Sequence, residues 1–125
     1  MTSLVSIDKD LKLDKTLNIF NQASTTIVFN QTLNKVSKTV QYVKINFSLI
    51  HQEIMKTLHD KGVHSLIVEG GRETLQSFID KDLWDEARVF IGNKNLKNGL
   101  LAPILIGKPE SEEIISTDLL KRFRK

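Results

Sequence analysis

Short apolar, β-branched runs separated by polar turns fill the first third of the chain. Leu4-Val5-Ser6-Ile7 is one such run, ending in the turn-forming stretch Asp8-Lys9-Asp10. Thr25-Thr26-Ile27-Val28-Phe29 is a second and stops at Asn30-Gln31; Val40-Gln41-Tyr42-Val43-Lys44-Ile45 is a third. Each predicts a strand. From Ser48 the period changes: Ile50, Ile54 and Leu58 recur every four residues, with Leu49 and Met55 beside them. That spacing predicts an amphipathic helix with Ser48 as its N-cap, Glu53 near its positive end and Gly62 as the left-handed stop. Val63 to Val68 is an apolar run between Gly62 and Gly70, the pattern of a strand covered on both faces in a parallel sheet. Leu75, Phe78 and Ile79 mark the core side of a further helix, from about Gly71 to Lys81, and Ala87 to Ile91 reads as strand. Gly92 to Pro109 is rich in Gly, Asn, Lys and Pro and predicts an irregular excursion with a short extended piece at Ala102 to Ile106. Asp118 to Arg124 reads as a final edge strand. Helix, strand, helix, strand with short connections predicts crossover units, hence an α/β fold with a largely parallel sheet flanked by helices.

Composition narrows the class. The chain has 125 residues, 40% hydrophobic and 26% charged, which suits one soluble globular domain and neither a disordered nor a fibrous chain. There is no repeat, low-complexity segment or linker, so residues 1–125 are expected to form a single domain. The formal charge is only +3, and the basic tail Lys121, Arg122, Arg124, Lys125 surrounds a lone Phe123, so no nucleic-acid partner is expected. With no cysteine there is no thiolate nucleophile, disulfide framework or cysteine-type zinc site. No stretch has the roughly 18 consecutive apolar residues of a membrane span, and the start lacks a basic region followed by an apolar one. The expected location is the cytoplasm, with no membrane partner. His51, His59 and His64 lack ligand-like spacing, so no metal is expected. Asp85 and Glu86 are adjacent in a strand start and point opposite ways, which suits capping or interface roles rather than a catalytic pair. Trp84 is expected to pack against the preceding helix or a partner subunit.

The position with chemical promise is Glu69-Gly70-Gly71, where an apolar strand passes into a helix. Open α/β sheets present ligands at the carboxyl ends of their strands. The first amides of the following helix lack intrahelical partners, and glycines remove the side chains that would keep a phosphate away. The helix dipole favours a nearby negative charge by about 0.3–1 kcal/mol. Arg72 and Thr74 in the first turn add side-chain donors, and Glu69 offers acceptors to substrate hydroxyls or amides. A Gly-Gly pair here also has a plain reading, a tight turn or close packing, and Glu69 one as a solvated strand end.

The segment Gly62-Val63-His64-Ser65-Leu66-Ile67-Val68-Glu69-Gly70-Gly71, followed by Leu75, Phe78-Ile79 and Leu83-Trp84-Asp85-Glu86, resembles the reductase domain of the bifunctional riboflavin-biosynthesis deaminase-reductase family. Val5-Ser6-Ile7-Asp8 with Leu11 and Leu13 resembles that family's upstream strand and leucine-containing turn; the part from Gly92 onward is less typical. The resemblance implies a dihydrofolate-reductase-like fold. It also implies NADPH-dependent reduction of 5-amino-6-(5-phosphoribosylamino)uracil, with hydride passing from nicotinamide to the sugar C1 so that ribosyl becomes ribityl. By matching position, Glu69 would bind this phosphoribosylaminopyrimidine. Gly70, Gly71, Arg72, Glu73, Thr74, Leu75, Gln76 and Ser77 would form the NADPH phosphate turn and its helix, and Lys9 would contact the cofactor. The loop Asn30 to Lys35, at a strand end, is placed to meet the adenosine end of NADPH. No catalytic residue is assigned. The family's deaminase ligands have no counterpart, so deamination is not expected. The strand and helix that open the family's reductase domain would precede Met1, so the chain is expected to be the C-terminal part of that domain, with weak or no activity alone. A homodimer is also implied. The alternative is a non-catalytic nucleotide-binding or dimerisation module.

Overall fold

The computed structural model describes residues 2–21 and 23–125. They form two compact units, Met1–Ser65 and Leu66–Lys125.

The first unit is built on a four-stranded sheet of β1 (Leu4–Ile7), β2 (Thr26–Asn30), β3 (Lys35–Val36) and β4 (Val40–Lys44), in the order β1-β2-β4-β3. β1 and β4 both run parallel to β2, with Val5 opposite Ile27 and Gln41 opposite Ile27 on the other side; only β3 is antiparallel. This is the largely parallel sheet of the sequence reading, formed by the N-terminal strands. β2 lies inside it with every residue buried, and Val28 and Phe29 are 0% exposed. A strand paired on both edges and covered on both faces reads as a continuous apolar run, as Ile27-Val28-Phe29 does.

After β4 the chain makes a 3-10 turn at Phe47–Leu49 and enters α1 (Ile50–Asp60), which buries Ile54 and Leu58 on its apolar stripe. The expected cap at Ser48 is displaced by two residues. Asn46 Oδ1 accepts from Ser48 N at 3.0 Å, because the tighter first turn starts earlier than the apolar period suggests. The stop is where Gly62 predicts it: φ is +77°, Gly62 N donates to His59 O at 2.8 Å, and Val63 N donates to Leu58 O at 3.0 Å. Those two bonds are a Schellman closure.

The second unit contains α2 (Arg72–Asp80) and a three-stranded antiparallel sheet of β5 (Glu86–Ile91), β6 (Ser111–Ile115) and β7 (Asp118–Arg124), ordered β5-β7-β6. Its buried apolar side chains are Phe78 and Leu120. α2 closes like α1, with Asp82 in the left-handed position at φ +59°, Asp82 N on Ile79 O and Leu83 N on Phe78 O, both at 2.9 Å.

Two expectations are corrected here. Val63 to Val68 joins no strand ladder, and Ile67 is 84% exposed. Apolar, β-branched composition becomes a strand only where an edge pairs with it, and no described strand does so. Ala102 to Ile106, expected as a short extended piece of the irregular excursion, pairs with no described strand. Asp118–Arg124 is a strand but the central one of its sheet, since the exposed β6, which the sequence reading missed, pairs on its far side. No described helix is long and apolar enough to cross a membrane.

Candidate functional site

The approach to α2 is a sharp corner. Gly70 has φ +128°, a conformation that L side chains rarely adopt, so its glycine is required by the backbone itself. Gly71 differs. At φ −70° and ψ 162° it sits in ordinary extended geometry, and a Cβ built on it meets nothing within 4 Å. Neither backbone nor packing in this chain demands a glycine there; the space in front of the helix is what a side chain would fill.

Gly71 is the N-cap of α2 and brings no side-chain cap, and the first intrahelical bond runs from Leu75 N to Gly71 O at 3.3 Å. The amides of Arg72, Glu73 and Thr74 therefore face the corner at the positive end of the helix, which suits an anion. Glu69, immediately before, is exposed and makes no ion pair among the described residues. Further along α2 the side chains are engaged within the unit. Ser77 Oγ donates to Thr74 O at 2.7 Å. The Gln76 carboxamide pairs with the main chain of Ile104, donating to its O at 3.2 Å and accepting from its N at 2.7 Å, and also donates to Asp80 at 2.8 Å. The residues Glu69 to Ser77 are thus together at one helix start, and that Gln76 ties the irregular excursion to α2 was not legible in sequence.

Lys9 belongs to the first unit, at the carboxyl end of β1, with its Nζ 5.7 Å from the centre of the Phe47 ring. Around it Asp8 caps its own turn, accepting from Lys12 N at 2.9 Å and Leu13 N at 3.0 Å. The expected adenosine loop, from Asn30 onward, is next to it: Gln31 N donates to Lys9 O at 3.1 Å and Gln31 Nε2 to Asp10 Oδ1 at 2.6 Å. Asn30, which the sequence reading took as a strand stop and as the start of this loop, is fully buried and folds the loop; its signal is a polar residue directly following an apolar run.

In the sheet of the second unit, Glu86 bonds Arg124 at 2.9 Å and Arg88 at 2.7 Å. Those two guanidiniums hold its carboxyl down from 4.5 to about 2. Asp85 O accepts from Lys125 N at 3.1 Å. Trp84 carries the Lys125 ammonium 4.9 Å above its ring. These contacts brace the sheet of the second unit.

A mostly parallel sheet followed by a helix in one unit, and a glycine corner opening a helix in the other, define an α/β protein. Residues 3–123 match the family described as the RibD C-terminal domain, and the chain belongs to that family. It is similar to the 2,5-diamino-6-ribosylamino-4(3H)-pyrimidinone 5′-phosphate reductase of Archaeoglobus fulgidus, 27% identical over 128 aligned residues that cover 96% of this chain and 54% of the relative. The chain thus spans about half the length of the curated relative it matches. Among solved structures it resembles the deaminase/5-amino-6-(5-phosphoribosylamino)uracil reductase of Thermotoga maritima, with a TM-score of 0.79, 21% identity, and coverage of 98% of this chain and 37% of that one. A protein described as a riboflavin biosynthesis protein, from a Shewanella species, matches with a TM-score of 0.58, 20% identity, and coverage of 98% of this chain and 72% of that one. These likenesses give the fold, the dihydrofolate-reductase-like α/β class.

Proposed function

We propose that this chain serves the reductase step of riboflavin biosynthesis, binding NADPH and a phosphoribosylaminopyrimidine whose ribosyl group is reduced to ribityl. Family membership and the relative's name as a pyrimidinone 5′-phosphate reductase support the reaction class. The observation that carries the cofactor reading is the open space at Gly71, in front of amides that no side chain caps. In this reading the amides of Arg72, Glu73 and Thr74 hold the cofactor diphosphate, the Arg72 and Thr74 side chains add donors, and Glu69 accepts hydrogen bonds from the substrate. Leu75, Gln76 and Ser77 hold the helix that presents those amides, and Lys9 is assigned to the cofactor by its matching position in the family's sequence alone. The bound nicotinamide supplies hydride for the sugar C1; this chain's own groups bind and orient. The protein is read as a cytoplasmic homodimer.

The test is thermal. NADPH at about 100 times its Kd stabilises the chain by about 2.7 kcal/mol, seen as a raised Tm. Gly71→Asp places a carboxylate in the phosphate space and removes that rise. Aspartate is a better N-cap than glycine, by a few tenths of a kcal/mol, so the variant without ligand melts no lower than the parent. Absence of protection by millimolar NADPH contradicts the reading and favours a non-catalytic dimerisation module, the alternative that the exposed Leu100 and Ile106 would serve.

A further inference from the structure

Residues 92–109 of the second unit connect β5 to β6 without joining any described strand or helix, and every residue from Gly92 to Ala102 is exposed. Connections longer than about 12–15 residues with no secondary structure of their own are uncommon in compact domains and are usually functional or disordered. This one is held at its middle by a single side chain. The Gln76 carboxamide accepts from Ile104 N at 2.7 Å and donates to Ile104 O at 3.2 Å, as a neighbouring strand would. Its other amide hydrogen goes to Asp80 Oδ1 at 2.8 Å. Among the described residues, no other hydrogen bond ties residues 92–109 to the rest of the unit. Beyond this latch, Gly107 at φ +137° bends the chain, and Glu110 N donates to Arg122 O at 2.7 Å where β6 begins.

Gln76 shares a helix face with Arg72 and Glu73, and long helical side chains lean towards the amino end, so Ile104 is pinned beside the first turns of α2. The ionisable side chains of residues 92–109 are Lys94, Lys97 and Lys108, with no carboxylate among them and no salt bridge among the described residues. Lys108 follows Ile104 by four residues, so its main chain stays within about 14 Å of the latch. Holding uncompensated ammoniums near the positive end of a helix is unfavourable, and an anion at that end reverses the sign.

We infer that Gln76 is a positioning residue: its carboxamide latches residues 92–109 along α2 as a strap, and an anion at the start of α2 and the latched strap stabilise each other. The identity of that anion, the cofactor diphosphate, rests on the NADPH reading above. Exposed hydrogen bonds contribute little net free energy because water replaces them, so the latch opens readily in the free chain. Ligand then acts by shifting the population towards the latched form.

The experiment follows backbone amide hydrogen exchange by nuclear magnetic resonance, with and without NADPH or inorganic pyrophosphate, and measures both affinities, in the parent, Gln76→Ala and Ile104→Pro. In the parent, either ligand is expected to raise protection of the Ile104 amide about fivefold or more, the low end of ordinary coupling between sites. In Gln76→Ala that amide exchanges freely with or without ligand, and both ligands bind weaker by the same factor, as reciprocity requires. Alanine favours helix, so α2 persists, and unchanged protection at the Phe78 and Ile79 amides verifies it. Ile104→Pro removes the donated N–H from the strap and leaves α2 untouched. It gives the same loss of affinity, which a direct contact of Gln76 with ligand would not, and it decides the matter if Gln76→Ala loses α2 protection. Unchanged Ile104 protection in a parent chain that binds, or parent-like affinity in Ile104→Pro, overturns the inference while leaving the NADPH reading intact. Coupling to pyrophosphate without any NADPH binding removes the NADPH reading and keeps the latch; a parent chain that binds neither overturns both.

Discussion

Gly70 and Gly71 are neighbours with opposite reasons for being glycine, and the difference can be measured. Gly70 is held at φ +128° with open space around it, so a methyl group there strains the backbone and clashes with nothing. Gly70→Ala is therefore expected to lose about 1–3 kcal/mol of stability, read as a lower urea midpoint at unchanged slope. A parent-like midpoint would show that the corner relaxes into ordinary geometry. Gly71 bears no such strain, and its substitution speaks to ligand rather than fold. The sequence located both residues but could not separate their roles, since a Gly-Gly pair does not say which member takes positive φ. Asn30 was hidden for a related reason. An asparagine after Ile27-Val28-Phe29 looks like the end of a strand, and only the folded chain shows its amide turned inward to organise the next four residues.

At the level of elements, what was legible followed from one-dimensional signals with local causes. The period of Ile50, Ile54 and Leu58 gave α1, and Gly62 gave its end. Gly62→Ala should cost about 1 kcal/mol, because a left-handed alanine is disfavoured and a Cβ there meets no neighbour that adds to or offsets the cost. Thermal melts without ligand check this, and a neutral effect would mean the Schellman closure contributes nothing. What was not legible depended on pairing. Val63 to Val68 has strand composition and no ladder, whereas β6, Ser-Glu-Glu-Ile-Ile, is wholly exposed and pairs through its backbone with salt bridges Glu112–Lys121 and Glu113–Arg122 alongside. Its turn into β7 uses Ser116 at φ +58° where Asn or Gly would have announced a hairpin. The same sheet carries a pH signature. The depressed Glu86 carboxyl favours the ionised form in the fold, so its contribution is present above the ordinary carboxylate range and is lost as pH falls from 4.5 towards about 2. Glu86→Gln should flatten that part of a Tm-against-pH profile; an unchanged acid limb would show that the Arg124 and Arg88 bonds do not persist in solution.

For the molecule as a whole, the family assignment covers residues 3–123, while the curated relative extends to nearly twice the aligned length. Large apolar side chains stand exposed in the second unit, Leu100 at 96% and Ile106 at 90% among them, which supports association with a second copy. Sedimentation is expected to give a mass of two chains, and a monomer at micromolar concentration would remove the dimer from the reading. The central claim is narrower: the main-chain amides at the start of α2 receive the diphosphate of a dinucleotide. The direct measurement is an amide nuclear magnetic resonance titration of the chain with NADPH. The account predicts the largest shifts at the Gly71, Arg72, Glu73 and Thr74 amides, and saturation with a single Kd. NADPH shifts that leave those four amides unmoved would contradict it.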